Sequence, residues 1–143
     1  MTDVSLALDY LPQLPLNRDV PIGCIGSGFI MADCQLVAYR QAGFKPVAIA
    51  SQTREKAQAV ADRHGLQKVY DHYEQLLDDS QLEVIDIAVP PDIQVDVVRA
   101  AVRRKHIRGI LAQKPLGMNY AQAVEIVRLC ADAGIVQIGR AHV

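Results

Sequence analysis

The chain has 143 residues, half of them apolar and 22% charged, which is the size and composition of one globular domain and excludes a disordered chain. Fifteen basic residues against sixteen acidic leave a net charge of −1, so no overall field draws the chain to nucleic acid or to an anionic membrane. Three cysteines, Cys24, Cys34 and Cys130, show no C-x-x-C spacing and sit in apolar settings; they argue against a disulfide scaffold and a structural zinc site and read as core thiols in a reducing, cytoplasmic compartment.

Residues 1–19 hold Pro12, Pro15 and scattered apolar side chains, and read as an N-terminal arm. They lack the basic and apolar regions of a signal peptide, and no apolar run approaches the roughly 18–20 residues that cross a bilayer. The domain proper is expected over 20–143. Ile22 to Ile25 form a short apolar strand that ends in Gly26-Ser27-Gly28. Ile30, Cys34, Val37, Ala38 and Gln41 then recur at helical spacing until Gly43. A buried strand is predicted over 45–50. Thr53 is placed to cap a helix over 54–64, closed by Gly65. A short strand over 67–70 and a short helix over 72–79 follow. That helix turns Leu76 and Leu77 inward and finishes on Asp78-Asp79, which read as a helix end with no acid–base role. Val84 to Val89 is the clearest buried strand, stopped by Pro90-Pro91. The pattern continues with a helix over 92–105, which gathers Ile93, Val97, Ala100 and Ala101, and a strand over 109–112. Asn119 caps a helix that runs to Gly134 with Ala123, Ile126, Val127 and Cys130 on one face, and a last strand spans 135–138.

Strands and helices thus alternate. The strands are continuous apolar runs, covered on both faces, which means a parallel sheet with crossover helices. The fold class is α/β: a Rossmann-like doubly wound parallel sheet of about six strands in a single domain, with a five-stranded flavodoxin-like order as the alternative.

Gly26-Ser27-Gly28 lies between a strand and a helix, the context a dinucleotide fingerprint requires. Gly26 permits the tight turn, and Gly28 lets a pyrophosphate approach the backbone at a helix N-terminus. The third glycine of that fingerprint is replaced by Met31, and a plain strand–helix turn is the other reading. The cofactor turn is assigned to Gly26, Ser27, Gly28, Phe29 and Ile30. About 20 residues on, an acid would select NAD by binding its ribose; 48–51 holds none. The strand ends instead in Ser51, Gln52, Thr53 and Arg54, a hydroxyl and a guanidinium suited to a 2′-phosphate. NADP is therefore the expected cofactor, with NAD possible if Arg54 is solvated and Glu55 serves the ribose.

The strand over 109–112 delivers Gln113, Lys114 and Pro115 to its carboxyl end, where ligands of such sheets collect. A lysine there can donate a proton to a substrate oxygen or hold it electrostatically, and beside the cofactor it would be partly desolvated, which lowers a lysine pKa; the other reading is a surface lysine before a turn proline. Arg99, Arg103, Arg104, Lys105, His106 and Arg108 form a basic cluster without interleaved aromatics. That reads as a solvated helix end more than a polyanion site. His64, His72, His106 and His142 share no ligand spacing, so no metal is expected.

IGCIGSGFI at the first turn, Pro90-Pro91, QKPLGMNYAQAVEIV and AGIVQIG, taken in order over about 20–139, resemble the N-terminal domain of the Gfo/Idh/MocA oxidoreductases. The resemblance implies hydride transfer between a nicotinamide cofactor and a sugar, polyol or related carbonyl or hydroxyl compound. It implies that Lys114 is catalytic and that Pro115 shapes the nicotinamide site. It extends the cofactor contacts to Val89, Pro90, Pro91 and Gln94, and to Gln113, Lys114 and Pro115. Gln113 stands where the family motif has glutamate, and Gln35 and Gln94 where histidines are common. Family members continue into a second α/β domain with the substrate pocket, a second catalytic motif and the oligomer interface. The chain is therefore expected to bind dinucleotide, to meet a small-molecule substrate only if a second domain is supplied, and to self-associate through exposed apolar surface. A non-catalytic binding or sensing module working with a partner chain is the alternative.

Overall fold

Strands form where short apolar runs can bury both faces: Ile22, Gly23, Cys24 and Ile25 are all buried. The computed structural model describes residues 13–139. β1 (Ile22–Ile25) leads through a π turn (Ile30–Gln35) into α1 (Leu36–Ala42). Next come β2 (Pro46–Ala50), α2 (Arg54–His64), β3 (Lys68–Tyr70) and α3 (Tyr73–Leu77). The second half holds β4 (Val84–Ile87), α4 (Pro91–Ala101), β5 (Gly109–Ala112), α5 (Tyr120–Asp132) and β6 (Val136–Gly139). All neighbouring strands pair in parallel, in the order β3-β2-β1-β4-β5-β6. This is the doubly wound six-stranded order, and it excludes the five-stranded alternative.

Alternate residues of each strand feed two cores. Ile25, Ile85, Ile87 and Ile110 pack against α3, α4 and α5. Ile22, Cys24 and Ile49 pack against the π turn, α1 and α2. In register with Gly109 and Leu111, Val136 and Ile138 of β6 turn to this second face and remain 67% and 54% exposed. The described helices of that face cover the β1–β3 half.

The structure corrects several expected boundaries and faces. In the π turn, the Leu36 N–H donates to the Met31 carbonyl five residues back. The wider turn rotates the helix, so Met31, Ala32, Gln35 and Leu36 are buried where Ile30, Cys34, Val37 and Ala38 were expected. Cys34 is consequently exposed and is not a core thiol, unlike Cys24 and Cys130. Burial pushes both of those thiols up, with the charge of buried Asp86 adding to the effect on Cys24. β4 ends at Ile87, short of Val89, because the Ala88 N–H bonds to Ile25 and the chain turns away. α4 stops at Ala101, well before 105, as Arg103 and Arg104 close back onto Ala100 and Ala101. On α5, Val127 is 49% exposed while Ile126 and Cys130 are buried. Of the arm, 13–19 is exposed and without regular structure, with Arg18 Nη1 donating to the Ala42 carbonyl at 3.1 Å. The rest of the arm, and His142, lie outside the described residues.

Asp79, beyond α3, ties β3 to the following turn. Its Oδ2 accepts from Lys68 Nζ at 2.6 Å and from the Tyr70 hydroxyl at 3.0 Å, and its Oδ1 from the Gln81 N–H at 3.1 Å. Burial opposes ionisation of Asp79, but these donors outweigh it and hold the carboxyl below its ordinary value of 3.8. A depressed folded-state pKa stabilises the fold above the unfolded value, and that contribution is lost as pH falls through the folded one. Asp79→Asn is expected to cost about 1 kcal/mol at pH 7 and little at a pH below the depressed carboxyl value. Urea unfolding at the two pH values measures the difference.

Candidate functional site

The site begins at the carboxyl ends of β1, β2 and β4. Gly26 stands at φ +107°, and a Cβ there would lie 2.3 Å from the Ala88 carbonyl oxygen, so only glycine fits. Its N–H donates to Ala50 at 2.9 Å, while the Ala88 N–H donates to Ile25 at 2.9 Å. The three strand ends are thus laced together. The chain leaves β1 toward one face and β4 toward the other, and a crevice opens at this switch of direction. Gly28 behaves differently. A Cβ added to it would meet nothing within 4 Å, so its lack of a side chain serves no packing purpose.

The crevice has a volume of about 610 Å³. Gly26, Ser27 and Gly28 form one side. Ser51, Gln52 and Thr53, after β2, form a second, and Val89, Pro90 and Ile93 close the third. Ser27 Oγ donates to Ser51 Oγ at 2.8 Å, which joins the glycine turn to the end of β2. The N-terminal N–H groups of the helix after Gly28 and of α4, which Pro91 opens, lack intrahelical partners by construction. The described residues hold no cluster of three or more metal-ligating side chains.

The residues expected at the site do not all reach the crevice. Gly26, Ser27, Gly28, Ser51, Gln52, Thr53, Val89 and Pro90 line it. Phe29 is 69% exposed on the helix opening, with Ile30 beside it. Pro91 is half-buried behind Pro90. Arg54 stands outside the lining with Nη1 on Asp71 Oδ1 at 2.8 Å, and Glu55, the alternative ribose partner, is exposed and also outside it. Lys56 lines the crevice instead, together with Asp71, His72, Tyr73 and Glu74 after β3. Burial pushes the Tyr73 phenol up, so it is a neutral donor at physiological pH. The signal for Lys56 was its position: Thr53 precedes α2, and the first turn of a helix leaving a strand end looks back at the crevice.

Gln113, Lys114 and Pro115 form a separate turn at the end of β5. The Lys114–Pro115 peptide is cis. Gln113 Oε1 accepts the Lys114 backbone N–H at 2.9 Å, so this glutamine braces the turn. The Lys114 side chain is exposed at the tip of this turn. Gln94 is not among the residues that line the crevice; it is buried at 1% exposure within α4. Gln35, the third departure from the family pattern, is buried in the π turn at 2% exposure.

The profile of the oxidoreductase family with the NAD-binding Rossmann fold, Gfo/Idh/MocA, matches residues 20–140. The chain belongs to this family. It is 33% identical over 113 residues to D-xylose 1-dehydrogenase (NADP(+)) 2 of Haloferax volcanii, covering 79% of this chain and 34% of that protein. It is 34% identical over 105 residues to trans-1,2-dihydrobenzene-1,2-diol dehydrogenase of Xenopus tropicalis, covering 73% and 30%. Among solved structures it matches an NAD binding oxidoreductase from Klebsiella pneumoniae with TM-score 0.77 and 29% identity, over 85% of this chain and 34% of that one. It matches levoglucosan dehydrogenase in complex with NADH and levoglucosan with TM-score 0.74 and 25% identity, over 85% and 34%. The chain spans about a third of the length of these relatives. The fold, the glycine turn and the position of the crevice agree with membership of Gfo/Idh/MocA. No helix among the described residues is long and apolar enough to cross a membrane.

Proposed function

We propose that residues 20–143 form the NADP-preferring dinucleotide-binding domain of a Gfo/Idh/MocA oxidoreductase, acting by hydride transfer on a sugar, polyol or related compound. The observation that carries this reading is Gly28, which lines the crevice at the mouth of a helix and where an added Cβ would meet nothing within 4 Å. A pyrophosphate there accepts hydrogen bonds from backbone N–H groups and meets the positive end of the helix dipole. Ser51, with Lys56 on the first turn of α2, takes the adenosine 2′-phosphate. Arg54 offsets the charge of Asp71, which would otherwise repel that phosphate. Val89, Pro90 and Pro91 border the nicotinamide ribose. The nicotinamide ring, when bound, supplies the hydride acceptor or donor. Lys114 holds the proton that the substrate oxygen gains or loses, and Pro115 shapes its turn. The substrate-holding surface is not assigned to any of the described residues, and the chain spans about a third of the length of these relatives. The NADP(+) in the name of the Haloferax relative supports the choice of cofactor.

Calorimetric titration tests this. NADPH is expected to bind roughly ten- to a hundredfold tighter than NADH, the worth of a charge-assisted contact of about 1.5–3 kcal/mol. Lys56→Ala and Arg54→Ala should each narrow that ratio and leave NADH affinity within about threefold. Equal binding of the two cofactors by the unsubstituted chain would refute the 2′-phosphate assignment.

The exposed Val136 and Ile138 on β6 favour self-association of the chain in solution. Light scattering is expected to show dimers or larger species at high concentration, and Ile138→Lys to reduce them.

A further inference from the structure

We propose that Gln94 is the positioning residue of the Lys114 turn, a buried clamp whose amide holds both flanks of the turn at once. Gln94 lies in α4 and belongs to neither the crevice lining nor the turn itself. Its Nε2 donates to the Gln113 carbonyl at 2.6 Å, on the residue before Lys114. Its Oε1 accepts the Gly117 N–H at 3.0 Å, on the far side of Lys114 and Pro115. At 1% exposure, no water competes for either bond. A single side chain thus fixes the two ends of a short loop, and the side chains exposed between them are Lys114 and Pro115.

The far anchor has little freedom to move. Gly117 stands at φ +74°, and a Cβ there would lie 2.8 Å from Gln122 Cβ. The next N–H, of Met118, donates to Gln122 Oε1 at 2.8 Å, and Asn119 caps α5 through the Gln122 N–H at 3.0 Å. Gln94 therefore couples α4, which starts at the crevice edge, to α5 by way of the loop that carries the lysine. The side chain must be a donor at one end and an acceptor at the other. A leucine supplies neither, and a glutamate turns an acceptor toward the Gln113 carbonyl. A neutral imidazole supplies both, but an imidazolium has two donors and no acceptor for Gly117. The glutamine makes the clamp independent of pH across the range where histidine titrates.

The role in catalysis rests on the reading that Lys114 serves the nicotinamide end of a bound dinucleotide; the clamp itself does not. The experiment separates the two. Amide exchange at Gly117 is followed by NMR on the 143-residue chain, as a protection factor, for the unsubstituted protein, Gln94→Leu and Gln94→His. Calorimetry compares NADPH with 2′-phospho-ADP-ribose, which lacks the nicotinamide. Gly117 protection is expected to fall at least tenfold in Gln94→Leu while the β1 and β4 amides stay protected. In Gln94→His it should match the unsubstituted protein at pH 8 and fall at least tenfold at pH 5, where the unsubstituted protein is unchanged. The affinity advantage of NADPH over the fragment should shrink in Gln94→Leu and return in Gln94→His at pH 8. Unchanged Gly117 protection in a folded Gln94→Leu overturns the proposal. Should Gln94→Leu not fold, Gln94→His decides: loss of Gly117 protection at pH 5 alone supports the clamp, and a profile like the unsubstituted protein's overturns it. Failure of the unsubstituted chain to bind either nucleotide overturns the cofactor reading and leaves the Gly117 result to decide the clamp.

Discussion

Gly28→Val and Gly26→Ala are expected to fail in opposite ways. The Cβ added at Gly28 meets no atom within 4 Å, so the unfolding free energy should stay within about 0.5 kcal/mol. The same side chain occupies the space assigned to the pyrophosphate. Losing two charge-assisted hydrogen bonds of about 1.5 kcal/mol each weakens NADPH binding about a hundredfold. At Gly26 the cost falls on the fold. An L side chain at φ +107° is strained, and its Cβ is driven into the Ala88 carbonyl at 2.3 Å. Strain and overpacking together are expected to remove about 3 kcal/mol of stability. Thermal unfolding and calorimetric titration of the two variants check both statements. A Gly28→Val chain with normal NADPH affinity would contradict the placement of the pyrophosphate.

The second large effect concerns Lys114. Proton transfer by a positioned side chain contributes typically 10²–10⁴-fold in rate. In a polypeptide that carries this domain together with a substrate-holding surface, Lys114→Ala is expected to lower kcat by that factor. NADPH affinity should change less than about threefold, because the exposed ammonium stands outside the crevice lining. The chain of 143 residues is expected to bind cofactor without measurable turnover of sugars or polyols. Holding the substrate against the hydride accounts for roughly 7–11 kcal/mol of barrier lowering, and the proposed function gives residues 20–139 the cofactor and not the substrate. Steady-state turnover by this chain would refute that division of labour, and a normal kcat in the alanine variant would reduce Lys114 to part of a turn.

The strands and their parallel order were legible because β1, β4 and β5 are short apolar runs bounded by glycine, proline or charge. Gly26 and Gly28 were legible as a pair, but only the coordinates separate a glycine required by backbone from one required by empty space. The face of the first helix was not legible. Periodicity assumes one repeat throughout, and the Leu36-to-Met31 bond inserts a wider one that moves Cys34 outward and Gln35 inward. Gln94 was placed among the cofactor contacts by the family resemblance alone. Its actual partners, Gln113 and Gly117, lie 19 and 23 residues away, a separation no local pattern encodes. Arg54 and Lys56 are two apart on one helix and so point in different directions. Composition shows two cations there, and only packing shows which of them borders the crevice.

The strand order also fixes when the protein can become a sheet. β1 is made early, yet one of its two edges pairs with β4, so Cys24 waits for Asp86 and Ile25 for Ile87. During synthesis at about 5–20 residues per second, that edge stays open for several seconds. Only β2 and β3 are at hand meanwhile, and both add on the other side. The nascent chain thus exposes the strand that later forms the centre of the sheet. Non-local parallel pairing of this kind is slow, and it places the interval of greatest aggregation risk before residue 84 emerges.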